Sequence, residues 1–132
     1  MDMRRLILIG VASSVLAISA VHGAFAYSVL PHEANVDALW NSHIRPLIHA
    51  RYPCASADEI ARARAFAYRG SVIQDLGYYP FGSHFFSNLL HDVPSGDFVE
   101  ALLHDAQDPS EYAFALGALA HYGADNAGHP RR

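Results

Sequence analysis

The chain has 132 residues, with nine Lys or Arg against thirteen Asp or Glu and a formal charge of -4. That length holds one domain at most. So few cations argue against broad nucleic-acid binding through phosphate neutralisation, and no stable nucleic-acid complex is expected. Nine histidines against two methionines and one cysteine point toward chemistry, because imidazole binds metals and moves protons near neutral pH.

The N-terminus reads as an export signal. Arg4-Arg5 precede an apolar stretch over residues 6–21, and Ala24-Phe25-Ala26 fits the small-x-small cleavage rule. Cleavage after Ala26 makes residues 1–26 a signal helix and Tyr27 the mature N-terminus. The expected location is periplasmic or secreted. An uncleaved membrane anchor is the alternative, although the stretch is shorter than the roughly 20 residues a spanning helix needs. Cys54 stands alone, so an exported domain must be held by core packing or by metal.

The mature chain, 27–132, reads as helical throughout. Val36, Leu39, Trp40, Ile44, Leu47 and Ile48 recur at spacings of three and four, an amphipathic stripe that Pro46 should bend or break. Ser56 with Glu59 forms a capping box for a second helix. That helix runs toward Ile73, with Gly77 fitting its termination. After a turn at Tyr78-Tyr79-Pro80-Phe81-Gly82, the residues Phe85, Phe86, Leu89 and Leu90 mark a third helix. Pro94-Ser95-Gly96 breaks the chain, and Phe98, Val99, Leu102 and Leu103 mark a fourth. Asp108 caps the last helix, with Pro109 at its first position and Glu111 in its first turn. No alternating strand pattern is found. The fold predicted is an all-α helical bundle with an inward-facing metal site, preceded by the signal helix.

The metal site is read from the last helix, where His121, Asp125 and His129 recur every fourth residue and so share one face. The run Tyr112–Ala120 before them is almost wholly apolar, so this helix should be buried. Buried imidazole and carboxylate need partners, and nitrogen with oxygen donors suits zinc. A solvated polar face is the bland reading. One helix offers too few ligands, so His32, Asp37, Asp75 and His91 are further candidates, with His84 competing against His91. Asp75 sits where the helix dipole disfavours a carboxylate, which favours a functional role. Asp37 is read as a surface charge, Asp92 and Asp97 as caps or solvent-facing groups, and His43, His49 and His104 as ordinary.

Three blocks in order, HEANVDALW (32–40), QDLGYYPFGSHFFSNLLHDVPSGDFV (74–99) and EYAFALGALAHYGADNAGHP (111–130), resemble the bacterial zinc-dependent phospholipase C family. That family is distantly related to single-strand nucleases of the S1/P1 type. The most specific piece is His121-Tyr122-Gly123-Ala124-Asp125 followed by His129-Pro130, and the resemblance covers nearly all of the mature chain. It implies an all-α fold with a three-zinc cluster. By position, Asp75, His91, His121 and Asp125 would bind one zinc. Asp125 would bridge to a second, held also by His32 and by the backbone amine and carbonyl of Tyr27. His129 would open a third site. The Leu-Leu-His-Asp-Val context favours His91 over His84.

Family members continue beyond the His-Pro element with a helix bearing a His-x-x-x-Glu pair. This chain stops at Arg132, so an incomplete domain with two zincs rather than three is the expectation. Asp75 is the catalytic candidate, to orient or deprotonate an attacking water. The implied reaction is phosphodiester hydrolysis of phospholipid, with transient membrane-surface contact. The rivals are an S1/P1-type nuclease and a non-catalytic remnant that binds zinc. Tyr78, Tyr79 and Phe81 suit either a lipid-facing rim or, more ordinarily, packing inside the bundle.

Overall fold

The computed structural model describes residues 30–92 and 95–128. The chain divides into two units, Met1–Leu30 and Pro31–Arg132. The first lies, apart from Leu30, outside the described residues, as do Tyr27, the signal segment and His129.

Every regular element among the described residues is helical. Helix α1 covers residues 30–51, with a π turn over Trp40–Ile44 leading into Arg45–Arg51. Of the bend or break expected at Pro46, the chain does not break but departs locally from α geometry. A proline removes one backbone donor and crowds the preceding turn, and the widened turn just ahead of it absorbs the mismatch. Val36, Trp40, Ile44 and Ile48 are buried, whereas Leu47 of the same stripe is 46% exposed.

Helix α2 spans Ala57–Val72 and opens on the predicted capping box: Ser56 Oγ accepts from the Glu59 backbone, and Glu59 accepts from the Ser56 backbone at 2.8 Å. It tightens into a 3₁₀ segment, Ile73–Tyr78. Gly77 is not the left-handed terminator expected of it, since no described glycine has positive φ. Its lack of a side chain serves packing instead. A Cβ there would stand 2.0 Å from the Ser83 carbonyl oxygen.

Helices α3 (His84–Asp92), α4 (Ser95–Asp105) and α5 (Pro109–Gly128) complete the unit. Asp108 caps α5 by accepting from Ser110 and Glu111 backbone N–H groups at 2.7 and 2.9 Å. The core joins the stripe of α1 to Ile60, Ala63 and Ala67 of α2 and Ala113 and Leu116 of α5. Small residues let α2 and α5 approach backbone to backbone. A Cβ on Gly70 would lie 1.9 Å from the Phe114 carbonyl oxygen, and one on Gly117 would lie 2.0 Å from that of Ala67.

Arg51 ties the end of α1 to the end of α4. Its guanidinium donates to the Leu103 and Ala106 carbonyls, each at 2.9 Å, and lies 4.6 Å from the centre of the Tyr112 ring. Carbonyls at a helix C-terminus have no partner within the helix and carry its negative end. Arg51→Ala is expected to cost about 1–3 kcal/mol, read as a lowered urea midpoint with unchanged m.

Candidate metal centre

Four elements bring the predicted residues together. His32 lies near the start of the described part of α1, Asp75 in the 3₁₀ segment, His91 in the last turn of α3, and His121 and Asp125 one turn apart on α5. The α2–α5 approach is what allows this. Gly70 and Gly117 let α5 run against the end of α2, so His121 reaches Ser71 and faces the 3₁₀ segment that follows.

The imidazoles are held from behind. His121 Nδ1 donates to the Ser71 carbonyl at 2.7 Å, and His91 Nδ1 donates to the Ser87 carbonyl at 2.7 Å. With the proton on Nδ1, each ring turns the Nε2 lone pair toward the cluster. A ligating histidine is fixed in just this manner, by a carbonyl or carboxylate on its other nitrogen. Ser87 also accepts from the Gly77 N–H at 2.8 Å through its hydroxyl, tying α3 to the segment that carries Asp75.

The donor atoms face one another at distances that suit a shared cation. Asp125 Oδ2 stands 3.2 Å from His121 Nε2 and 3.5 Å from His91 Nε2. Asp75 Oδ1 stands 3.5 Å from His91 Nε2 and 4.0 Å from His121 Nε2. Donors around one tetrahedral zinc at about 2.0–2.1 Å are roughly 3.3 Å apart. The other oxygen of each carboxylate turns to His32 Nε2, at 3.7 Å from Asp75 Oδ2 and 3.9 Å from Asp125 Oδ1. Two donor groups of metal-binding size result, His32–His121–Asp125 and Asp75–His91–His121. An imidazole nitrogen has one lone pair and serves one cation, whereas a carboxylate can bridge two, so both groups fit through Asp75 and Asp125.

A buried orphan supports the fit. With its proton on Nδ1, His121 Nε2 is shut off from solvent and faces only carboxylate oxygens, an acceptor among acceptors; His32 Nδ1 and Gln74 Oε1 are also buried without a hydrogen bond. A buried polar atom without a partner is costly, and a cation would supply the partner of His121 Nε2. Exposure grades across the cluster. The His121 side chain is fully buried, while Asp75, His91 and Asp125 are open at 16%, 26% and 32%, so solvent reaches one side.

Charge is balanced tightly. The His32 and His121 rings stack at 3.8 Å between centroids, and two stacked imidazolium cations would repel. Burial, then the neighbouring His121, pushes the His32 pKa down. Burial alone would lower His121 too, but the Asp125 carboxylate and the Ser71 carbonyl outweigh it and hold His121 above its ordinary value. Burial likewise opposes ionisation of Asp125, and His121, with His32 and His91 behind it, reverses that and holds the carboxyl below its usual range. A metal ion therefore competes with a proton for His121 Nε2. The rise in melting temperature on adding zinc is expected to be large near pH 8 and to vanish as pH falls toward about 5.

Other candidates stay apart. His84 is exposed and lies with its ring 5.7 Å from that of Tyr78, outside both donor groups. Asp37 is exposed and pairs with Arg64 at 2.8 Å and with Tyr68. The carbonyls of Ser71 and Ser87 were not foreseen, because a backbone group leaves no mark in the residue code. The small pair Gly70-Ser71 and a serine four residues before His91 were the available signals.

The sequence model of the family described as zinc dependent phospholipase C matches residues 24–132. The chain belongs to that family. No curated protein and no solved structure matches it. Membership in the zinc-dependent phospholipase C family agrees with an all-α unit whose histidines and aspartates converge from separate helices.

Proposed function

We propose that this chain is a zinc-dependent phosphodiesterase of the phospholipase C type, acting on phospholipid after export. The observation that carries the reading is the pair of imidazoles braced at Nδ1 by backbone carbonyls, with both Nε2 atoms facing Asp75 and Asp125. Bound zinc supplies Lewis acidity toward the phosphoryl oxygen and lowers the pKa of water.

The protein's own groups do the rest. His91 and His121, with Asp75 and Asp125, would hold one cation, and His32, facing the same two carboxylates, would help to hold a second. Tyr27, which cleavage after Ala26 would make the N-terminal residue, and His129 are the further ligands that the family resemblance implies. Asp75 orients the attacking water and accepts its proton, from a place open enough for water to enter. The Ser71 and Ser87 carbonyls keep the rings from turning as charge changes in front of them.

The test combines metal analysis with two substrates. Zinc should copurify, and soluble short-chain phosphatidylcholine should release its phosphorylated head group in a chelator-sensitive reaction. Asp75→Asn should slow this by about 100-fold or more. Hydrolysis of single-stranded DNA instead of lipid would make the chain a nuclease, and absence of zinc would leave a helical remnant. N-terminal sequencing of exported protein should begin at Tyr27.

A further inference from the structure

Helix α3 is amphipathic the wrong way round. At about 100° per residue, Ser87, Leu90 and His91 fall on one side and Phe85, Phe86 and Leu89 on the other. Ser87 and Leu90 are buried and His91 faces the cluster, while Phe85, Leu89 and Phe86 are 75%, 42% and 37% exposed. Apart from Leu90, the apolar residues that marked this helix in the sequence therefore face out. Phe81, in the turn before it, is wholly exposed and is the described non-glycine residue with positive φ, at 70°. That conformation is costly for a bulky side chain and points to a constraint other than packing. The turn is locked by a 2.8 Å bond from Gly82 N–H to the Tyr79 carbonyl.

We propose that Phe81, Phe85, Phe86 and Leu89 form a docking surface for a zwitterionic lipid bilayer. An exposed apolar patch of this kind marks an interaction site, and two observations select lipid as the occupant. Residues 76–91 contain no Asp, Glu, Lys or Arg, so the surface offers aromatic and aliphatic groups without a charge to desolvate, as an interfacial segment requires. It likewise offers no lysine or arginine to complement anionic head groups. The patch also adjoins the cluster. Tyr78 donates to Asn88 at 3.0 Å, and its ring lies 5.8 Å from that of His91. A bilayer held by the outer face of α3 thus sits about one helix diameter, ~10–12 Å, from the cluster on the inner face. The surface deepens the phospholipase reading and rests on it.

The test uses the full chain carrying Phe85→Trp. The native chain has a single tryptophan, Trp40, which is 4% exposed, so an indole at position 85 reports this face and no other. Phosphatidylcholine vesicles with bromine-labelled acyl chains should quench the introduced indole and leave wild-type fluorescence unchanged. Quenching should persist in high salt and gain nothing from anionic lipid. Adding Phe81→Ser should weaken vesicle affinity about tenfold and slow hydrolysis of vesicle lipid. Zinc content and hydrolysis of short-chain soluble lipid should not change.

Vesicle binding without quenching would place the contact elsewhere, as through residues 6–21, and overturn the proposal. So would a requirement for anionic lipid, or self-association by sedimentation that Phe81→Ser abolishes. Quenching in a protein that holds no zinc and hydrolyses no soluble lipid would retain the surface and reject the phospholipase reading. Zinc-dependent hydrolysis with no quenching would do the reverse.

Discussion

Asp125→Asn is expected to remove most zinc binding while leaving the metal-free helices intact, and His121→Ala to damage both. The asparagine keeps the shape of the carboxylate but loses its charge and its bridging capacity. Outer-shell substitutions at metal sites cost 10–100-fold in affinity, so loss of a donor should exceed about 100-fold. His121 is different because it is fully buried and its Nδ1 holds the Ser71 carbonyl. Alanine leaves that carbonyl unpaired and opens a cavity beneath α1, a penalty of about 2–5 kcal/mol before metal is considered. Melting curves with and without zinc separate the two. For Asp125→Asn the zinc-dependent rise should disappear with the metal-free midpoint nearly unchanged; for His121→Ala the metal-free midpoint should fall as well. His49→Ala is the control and should change neither, since His49 belongs to neither donor group. A large zinc loss there would contradict the ligand assignment.

Gly117→Ala should unfold the protein at a much lower temperature and weaken zinc binding although it touches no donor. Its Cβ would lie 2.0 Å from the Ala67 carbonyl oxygen and 3.0 Å from the Ser71 backbone nitrogen. No rotamer relieves a clash between backbones, so α5 must move away from α2. Overpacking in a close-packed interior typically costs 1–3 kcal/mol, and a backbone contact this short belongs at the upper end, roughly 10 °C in melting temperature. Moving α5 also carries His121 away from the Ser71 carbonyl, so the ring loses its brace. Gly123→Ala, on the same helix with open space around its Cβ, should be neutral or slightly stabilising. An equal effect of the two substitutions would show that helix propensity, not close approach, governs this face.

The helices were legible because their signals are local. Ser56 with Glu59 and Asp108 with Pro109 set helix starts through atoms two or three residues apart, and both appear in the structure as read. The buried stretch of α5 was legible for the same reason, since Ala113, Ala115, Leu116 and Ala118 are buried where the apolar run stands. Family membership was legible because several blocks recur in order, and the family match bears it out.

Other features depend on atoms far apart in the chain. Pro46 was read as a bend or a break, and sequence could not choose because it shows the missing donor and not the π turn that accommodates it. Gly77 was read as a terminator because a glycine that frees φ and one that admits a neighbour's carbonyl are written alike. The stripe of α3 gave the helix but not its direction, because periodicity states that a face exists and not what lies opposite it. Spacing and residue type thus determined the helices, their caps and the first candidate donors, and the resemblance of whole sequence blocks gave the family and its implied ligand set. The tertiary structure alone decided that His91 meets Asp75, His121 and Asp125, that Ser71 and Ser87 aim the rings, and that Phe81 and Phe85 face outward. Each of those follows from how closely α2 and α5 approach and how the turn before α3 folds back on the 3₁₀ segment.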